Sequence, residues 1–315
     1  MTVPAAVGAL IQVTLVIAVA PILTGLMRAT RAKLEGRAGP SVVQPWRDIR
    51  KLLHKERIKP EYSGWVFLLA PRVLLASGLM VVVLVPLITT ATALGGSGDL
   101  FAVVYLVLLG TVFLVLAGLD PGTAFGGMGA SRAITVAALA EPAFLLAIFA
   151  LSVRAGSSSL ATIVDSVLAE PRSLASPGSL LALAAVSVVV LAESGRLPVD
   201  NPSTHLELTM IHESMVLEYA GPDLAVVELA SQVRLTIFLG LIANLFAPWG
   251  IAVTTHPADL AIGTGVVVAK LALLGVVIAT FEVFVAKMRL FRVPELLTAA
   301  FILAFLAITM SFFLT

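Results

Sequence analysis

The chain is 315 residues long, 59% hydrophobic and only 12% charged, and its mean hydropathy is +1.05. Soluble globular chains carry about 25% charged residues, so this composition excludes a soluble domain and indicates a membrane protein. The formal net charge is only +1, and we expect no nucleic acid partner.

The chain contains no cysteine. Iron–sulfur clusters, thiolate zinc sites and disulfide bonds all require cysteine. None of them can be built on this chain, and any cluster that takes part in its function is expected on a partner.

Eight apolar runs are long enough to cross the membrane as helices. About 20 apolar residues are needed for roughly 30 Å of hydrocarbon. The runs lie at about 4–27, 64–92, 100–118, 133–153, 178–194, 221–246, 262–286 and 294–314. No Lys or Arg precedes the first run, which therefore reads as a retained anchor and not as a signal peptide. We predict one all-α polytopic membrane domain over residues 1–315, with about eight transmembrane helices.

Lys and Arg concentrate in alternate loops, and cytoplasmic loops are the ones enriched in these residues. The enriched loops are 28–63, 119–132, 193–220 and 287–293. The remaining loops hold only Arg154 and Arg172. We therefore expect a bacterial or archaeal cell membrane protein with both termini outside.

Two of the basic loops have distinctive patterns. PSVVQPWRDIRKLLHKE, residues 40–56, places apolar and charged side chains on opposite arcs of a helix, which predicts an amphipathic helix in the membrane interface at 40–57. A cationic loop that only sets topology is the alternative. DPGTAFGGMGASR, residues 120–132, is glycine-rich and able to pack closely or to move. It lacks the lysine of a phosphate-binding P-loop.

The loop at 195–220 gathers acids and two of the four histidines in an otherwise apolar chain. The pattern Thr204 to Glu207 resembles a capping box and predicts a helix that starts near His205. On such a helix His205 and His212 share one face, whereas Glu207 and Glu218 share another.

A shared metal ion is disfavoured at these histidines. Seven residues of helix separate His205 from His212 by about 10.5 Å along the axis, whereas zinc ligands on one helix stand four residues apart. A solvated acidic loop is the simplest alternative. Interleaved apolar residues such as Met215 and Val216 argue that the helix packs on protein or membrane.

Ionisable residues also lie inside the predicted membrane helices. These are Glu141, Glu228, Arg234, Lys270 and Glu282. A charge in hydrocarbon costs about 3 kcal/mol or more, so such residues face a cavity or a partner and are candidates for function. Static pairing, for example of Glu228 with Arg234, is the alternative.

Glu141 has no cation nearby in the sequence and precedes Pro142, which bends helices. It is the leading candidate for a proton relay. Buried carboxylates hold and release protons near neutral pH, so a row of acids running into the membrane would form a proton path. Its candidate members are Glu141, Glu207, Glu213, Glu218, Glu228 and Glu282.

At these residues the chain resembles a known family. The segment LPVDNPSTHLELTMIHESMVLEYAGPDLAVVELAS, residues 197–231, closely resembles the fourth-subunit family of formate hydrogenlyases, the membrane subunit of group 4 [NiFe] hydrogenases. QPWRDIRKLLHKE at 44–56, the Glu141 helix and AKMRLFRVPELL at 286–297 match as well. That family is similar to the quinone-chamber subunit of respiratory complex I. The chain departs from the complex I pattern at PVDNPSTHLELT, which favours the hydrogenase branch.

The resemblance implies a non-catalytic membrane subunit that carries no cofactor of its own. Its implied partners are a hydrogenase large subunit with the [NiFe] centre, an iron–sulfur small subunit, antiporter-like membrane subunits and lipid. The subunit would anchor the redox arm and couple electron transfer to proton or sodium translocation. Candidate contacts with the arm are Asp200, His205, His212, Arg196, Arg289 and Arg292.

Two alternatives stay open from the sequence. The first keeps the architecture and makes the chain a quinone-site subunit of an NADH-quinone oxidoreductase. The second is a stand-alone ion transporter. Transporters often show paired broken helices in two related halves, and the sequence shows no such pairing.

Overall fold

The computed structural model describes residues 3–91, 98–200, 210–254 and 256–313. Within them the chain forms helices joined by short connections. In order these are α1 Val3–Leu34, α2 Gln44–Leu53, α3 Trp65–Leu84, α4 Leu100–Leu119, α5 Ala124–Ala155, α6 Leu160–Ala169, α7 Pro177–Glu193, α8 His212–Val216, α9 Gly221–Phe246, α10 Pro257–Phe284 and α11 Val293–Phe313. Short 3₁₀ helices, Pro171–Ala175 and Leu290–Arg292, precede α7 and α11.

Seven helices of the described chain are long and apolar enough to cross a membrane: α1, α3, α4, α5, α9, α10 and α11. The predicted span at 178–194 is α7, which has 17 residues and is therefore about 26 Å long. It is apolar but shorter than the roughly 30 Å hydrocarbon core. The expected all-α polytopic fold is confirmed, with α7 as a short eighth helix.

The helices pack as two groups that meet at α9. Helix α9 contacts α1, α3, α7 and α10, and it carries the largest share of buried residues among the candidate spans. On one side α1 packs on α10, and on the other α11 packs against both α5 and α7. The facing positions on α11 are small, with Ala300, Ala304 and Ala307 fully buried, so the helices approach closely.

One end of the bundle collects most of the cationic residues, and we call it the basic end. Helices α1, α4, α7 and α10 finish there, and α3, α5, α9 and α11 begin there. Hydrogen bonds connect the loops at this end. Arg57 Nε donates to Asp223 Oδ2 at 2.5 Å, and the backbone N–H of Gly64 donates to Asp120.

Helix α2 forms at the basic end inside the predicted 40–57 segment. Its Ile49 is 3% exposed, while the arginines and lysines of the helix point away from the bundle. The indole N–H of Trp46 donates to the Ala18 carbonyl of α1 at 3.1 Å. A Cβ on Gly25 of α1 would lie 1.8 Å from the Val42 carbonyl oxygen, so glycine at that position lets the α2 segment reach α1.

At the opposite end α3 stops well before the predicted residue 92. Val85 leaves the helix and the chain runs on to Thr90 as buried, non-helical backbone. Buried backbone without helical partners must be hydrogen-bonded by other groups. Gln12 supplies one set by donating to Val85 O at 2.7 Å and accepting from Ile88 N at 3.1 Å.

Asn244 and Lys270 complete the support of this segment. Asn244 Nδ2 donates to the carbonyls of Pro86 at 2.8 Å and Leu87 at 2.7 Å. Lys270 Nζ donates to the Ala247 carbonyl at the end of α9 at 2.5 Å. The intramembrane lysine seen in the sequence therefore binds one backbone carbonyl and the Asn244 side chain, whose Oδ1 accepts from Nζ at 3.3 Å.

Helix α5 begins nine residues earlier than its apolar run at 133–153, because the glycine-rich segment is helical. A Cβ on Gly126 would lie 2.1 Å from the Gly118 carbonyl oxygen of α4, and one on Gly129 would lie 2.1 Å from Ser214 Oγ. Close packing, one of the two roles expected for these glycines, is what the structure shows. It brings α8 against α4 and α5.

Candidate functional site

A cavity of about 580 Å³ opens at the basic end and reaches between the helices. Its wall is formed by α1, the end of α7, the segment that follows it, α9 and α10. Oppositely charged side chains alternate around it. The charged lining residues are Arg28, Arg31, Glu35, Arg37, Glu193, Arg196, Asp200, Glu213, Glu228, Arg234 and Glu282.

Glu282 lies between two arginines at the cavity wall. It is 4% exposed, its Oε1 lies 3.4 Å from Arg196, and its Oε2 lies 3.8 Å from Arg31. Burial lowers the pKa of Arg196, and the charge of Glu282 opposes that shift. Through these two arginines Glu282 connects α10 to α1 and to the segment between α7 and α8.

Asp200 holds the start of the acidic loop from inside. It is 3% exposed and accepts from Lys287 Nζ at 2.8 Å. It also accepts from the backbone N–H groups of Ile211 and His212, at 3.2 and 3.3 Å. One carboxylate therefore joins the two ends of the acidic loop to the segment after α10.

Arg234 pairs with Glu193, and not with Glu228 as the static alternative supposed. Its guanidinium donates to Glu193 Oε2 and its Cζ stands 5.6 Å from the ring centroid of Phe238. Six helical residues put Glu228 and Arg234 on different faces of α9. Glu228 lines the cavity without an ion pair to any residue that the structure describes.

Glu141 lies deeper, beyond the Glu193–Arg234 pair. Its Oε1 is buried and, within the described ranges, accepts no hydrogen bond. Its charge interacts with those of Glu193 and Arg234. A smaller cavity of about 60 Å³ shares Glu193 and Arg234 with the large one and is lined by Ala137, one turn before Glu141.

The structure brings together part of the predicted proton path. Glu213, Glu228 and Glu282 line the cavity, and Glu141 lies just beyond it. Glu218 does not line the cavity, and Glu207 lies outside the described residues. The helix expected to run from His205 through Glu218 is wrong over its described part, because Met210 and Ile211 are not helical and α8 covers only His212–Val216.

The candidate contacts with a redox arm fall into two groups. Asp200, His212 and Arg196 line the cavity and are buried or half-buried, whereas Arg289 and Arg292 are exposed at the basic end. His205 lies outside the described residues. Sequence reasoning missed Glu193, whose only signal was an acid at the end of an apolar run, before the helix-ending Ser194–Gly195.

Metal coordination finds little support where the structure describes the chain. No group of three or more His, Cys, Asp or Glu side chains there has the arrangement of a metal site. His212 instead places Nε2 3.2 Å from Ser231 Oγ of α9. This contact ties α8 to α9 beside the cavity.

Comparisons with known proteins agree with this architecture. The family model described as NADH dehydrogenase matches residues 7–313. Formate hydrogenlyase subunit 4 of Escherichia coli (strain K12) is 36% identical over 95% of this chain and 96% of its own length. Hydrogenase-4 component C of the same strain is 32% identical over 95% and 93%.

More distant relatives share the fold. One NADH-quinone oxidoreductase subunit, from Anaplasma phagocytophilum (strain HZ), is 30% identical over 71% of this chain and 70% of its own length. A chain of the membrane-bound sulfane sulfur reductase, an archaeal respiratory membrane complex, superposes with a TM-score of 0.80 at 20% identity, covering 97% of this chain and 98% of that one. The chain thus belongs to the NADH dehydrogenase family, together with formate hydrogenlyase subunit 4 and hydrogenase-4 component C.

Proposed function

We propose that this chain is the non-catalytic membrane subunit of a respiratory-type hydrogenase complex. It anchors the [NiFe] and iron–sulfur arm at its basic end and couples electron transfer to proton or sodium translocation. The observation that carries the proposal is the charged cavity, which opens at the basic end and is lined by Glu193 and Arg234, whose charges interact with that of Glu141 inside the membrane domain. With this orientation both termini lie outside the cell.

The relatives support the hydrogenase assignment. The two most extensive matches given above are named as formate hydrogenlyase and hydrogenase-4 components. The partners that follow are a hydrogenase large subunit, an iron–sulfur small subunit and antiporter-like membrane subunits. The chain itself has no cysteine, so the clusters belong to those partners.

Coupling is electrostatic in this proposal. A unit change of charge about 10 Å from a cavity carboxylate alters its energy by about 1.7 kcal/mol at an effective dielectric constant of about 20. That energy corresponds to slightly more than one pKa unit. An electron that arrives on a cluster near the basic end would therefore change the proton occupancy of the nearest acids.

Contacts with the arm are assigned by exposure. Arg289 and Arg292 project from the basic end and are proposed to contact the arm directly. Arg196 and Asp200 are held inside the chain, and they are proposed to shape the acidic loop 195–220 that meets the arm. His205 and Glu207 belong to that loop.

The proposal is tested by Glu141→Gln in the whole complex, reconstituted into sealed vesicles. The measurement is ion movement per hydrogen molecule evolved, which normalises for the amount of active arm. We expect the ratio to fall to background. Glu295→Gln, an exposed acid in the first turn of α11, is the matched control and should keep the wild-type ratio. A wild-type ratio in Glu141→Gln would reject the coupling role.

One observation favours a second candidate, a quinone-site subunit. The cavity volume of about 580 Å³ lies within the range of about 300–1,000 Å³ that small-molecule sites occupy. Such sites hold only a small number of polar groups, however, whereas eleven arginines and acids line this wall. Quinone reduction by the purified complex, sensitive to quinone-site inhibitors, would favour this candidate. Hydrogen turnover that is indifferent to those inhibitors would support the hydrogenase subunit.

A further inference from the structure

The large and the small cavity share Arg234 and Glu193, the two residues whose charges interact with that of Glu141. Arg234 stands about 20 Å along α9 from its first residue, Gly221, and both cavities touch its side chain. Glu193 is the last residue of α7 and also lines both cavities. The pair therefore lies where the two cavities meet, together with Leu114, Gly195, Asp200 and His212.

This arginine has capacity for a second partner. A guanidinium carries five N–H donors in a planar fork. Arg234 donates to Glu193 Oε2, but its buried Nε finds no acceptor among the described residues. Glu141 Oε1 is buried and equally without a donor there, and the charges of Arg234 and Glu141 interact. Buried polar atoms without hydrogen-bond partners require a physical explanation. We call the three residues Glu193, Arg234 and Glu141 the junction.

Charge balance sets the constraint. Arg234 is one cation facing two carboxylates in a region where uncompensated charge is costly. Two other acids of the cavity already have cationic partners: Asp200 binds Lys287, and Glu282 binds Arg31 and Arg196. The junction is neutral when one of Glu193 and Glu141 is ionised and the other carries a proton.

We propose that Arg234 exchanges partners between Glu193 and Glu141, and that this exchange passes protons from the cavity to Glu141. The inference rests on the proposed function and names the pair that gates its proton route. At rest Glu193 is ionised on Arg234 and Glu141 carries a proton. A proton from cavity water then adds to the Glu193 carboxylate and frees the guanidinium.

The remaining steps return the junction to rest. Arg234 turns to Glu141, which gives up its proton to the next acceptor in the membrane and stays as the paired carboxylate. Glu193 then transfers its proton to Glu141, and Arg234 returns to Glu193. One proton enters and one leaves in each cycle. No covalent bond other than O–H is made or broken, and the junction stays neutral in both pairings.

Infrared spectroscopy of the purified complex tests the exchange without reference to ion pumping. Glu193→Gln leaves Glu141 as the remaining carboxylate for Arg234, so Glu141 should ionise. The protonated-carboxyl band that disappears in Glu141→Gln should then also disappear in Glu193→Gln. It should return in Glu193→Gln/Arg234→Gln, in which no cation faces Glu141. The exchange is wrong if the band persists in Glu193→Gln. It is also wrong if Glu141→Gln leaves the protonated-carboxyl band unchanged.

Ion movement per hydrogen molecule gives the functional readout in the reconstituted complex. Arg234→Gln and Glu193→Gln should each lower the ratio by about tenfold or more, the factor of one pKa unit. Arg234→Lys keeps the charge but loses the planar fork and should retain an intermediate ratio. Arg72→Gln, an exposed arginine of α3 that donates to its own helix at Leu68 O, is the control and should match wild type.

The two proposals fail in different ways. If Glu141→Gln pumps normally, the proposed function is rejected, and the infrared comparison still decides whether Arg234 changes partners. If Glu141→Gln stops ion movement while Glu193→Gln keeps both the wild-type ratio and the Glu141 band, the exchange is wrong and the proposed function stands. Lost assembly in Arg234→Gln is separated from lost gating by Arg234→Lys, which keeps the intramembrane charge.

Discussion

Removing the Asp200 carboxylate should release both ends of the acidic loop. In Asp200→Ala the ammonium of Lys287 loses one partner, at 2.8 Å, and the backbone N–H groups of Ile211 and His212 lose the acceptor that Asp200 provides. Breaking a buried ion pair by deleting one partner costs about 3–5 kcal/mol. The Lys287 side chain is 18% exposed, so water compensates part of the loss, and we expect about 3 kcal/mol.

Hydrogen exchange measures this energy at the contact itself. A local destabilisation of about 3 kcal/mol corresponds to exchange about 150-fold faster, read on the peptide that carries Ile211 and His212. Asp200→Asn keeps an oxygen acceptor for the N–H groups and should give a smaller acceleration. Asp165→Ala, an exposed acid on α6 at the opposite end, should give none. Unchanged exchange in Asp200→Ala would refute the view that this carboxylate holds the loop.

Two further changes test the supports at either end of the bundle. Gln12→Leu removes the hydrogen bonds that Gln12 makes with Val85 O and Ile88 N. Each hydrogen bond inside a membrane contributes about 0.6–1.7 kcal/mol. The free energy of unfolding in detergent should therefore fall by about 1–3 kcal/mol. Thr14→Val, whose hydroxyl binds only Leu10 of its own helix, is the control, and equal losses in both variants would contradict the role of Gln12. Burial, together with the nearby Asp223 and Asp120, raises the pKa of the Tyr219 hydroxyl above its ordinary 10.0. The folded state therefore holds that proton more tightly than the unfolded chain does. The resulting contribution to the free energy of unfolding is complete below about pH 10 and is lost as the pH rises above it. Tyr219→Phe should lose about 1 kcal/mol near pH 7 with the bond to Phe67 O and should flatten the decline in stability above pH 10. An unchanged alkaline slope would show that Tyr219 does not cause it.

Hydropathy predicted the membrane fold but not the places where chain packing overrides it. Residues 85–90 belong to the same apolar run as α3, but Pro86 cannot continue the helix, and Gln12 and Asn244 supply the hydrogen bonds that the non-helical backbone needs. Both supports lie far away in the sequence. The segment 120–132 was predicted as a loop because glycine disfavours helices, but residues 124–132 are helical, and Gly126 and Gly129 allow contacts there that a Cβ would block.

Their position in apolar segments identified Glu141, Glu228 and Glu282 as candidates, but the sequence could not predict which residues form ion pairs with each other. Arg234 has one candidate partner within its own helix, and its actual partner is Glu193, at the end of α7. That contact depends on how α7 and α9 pack, which no local pattern specifies. The exposure of Arg289 and the burial of Asp200 likewise follow from tertiary contacts. Because the prediction used residue type alone, it assigned both Arg289 and Asp200 to the interface with the redox arm.

The packing of α11 has a consequence for biosynthesis. Helix α11 fills the groove between α5 and α7, with Ala300, Ala304 and Ala307 fully buried, yet it is synthesised long after both. After α5 and α7 have inserted, the groove between them stays exposed to lipid until α11 has been synthesised. The membrane domain therefore matures late, and the surface of α5 and α7 that receives α11 is the one that an insertase or a neighbouring protein would have to shield in the meantime.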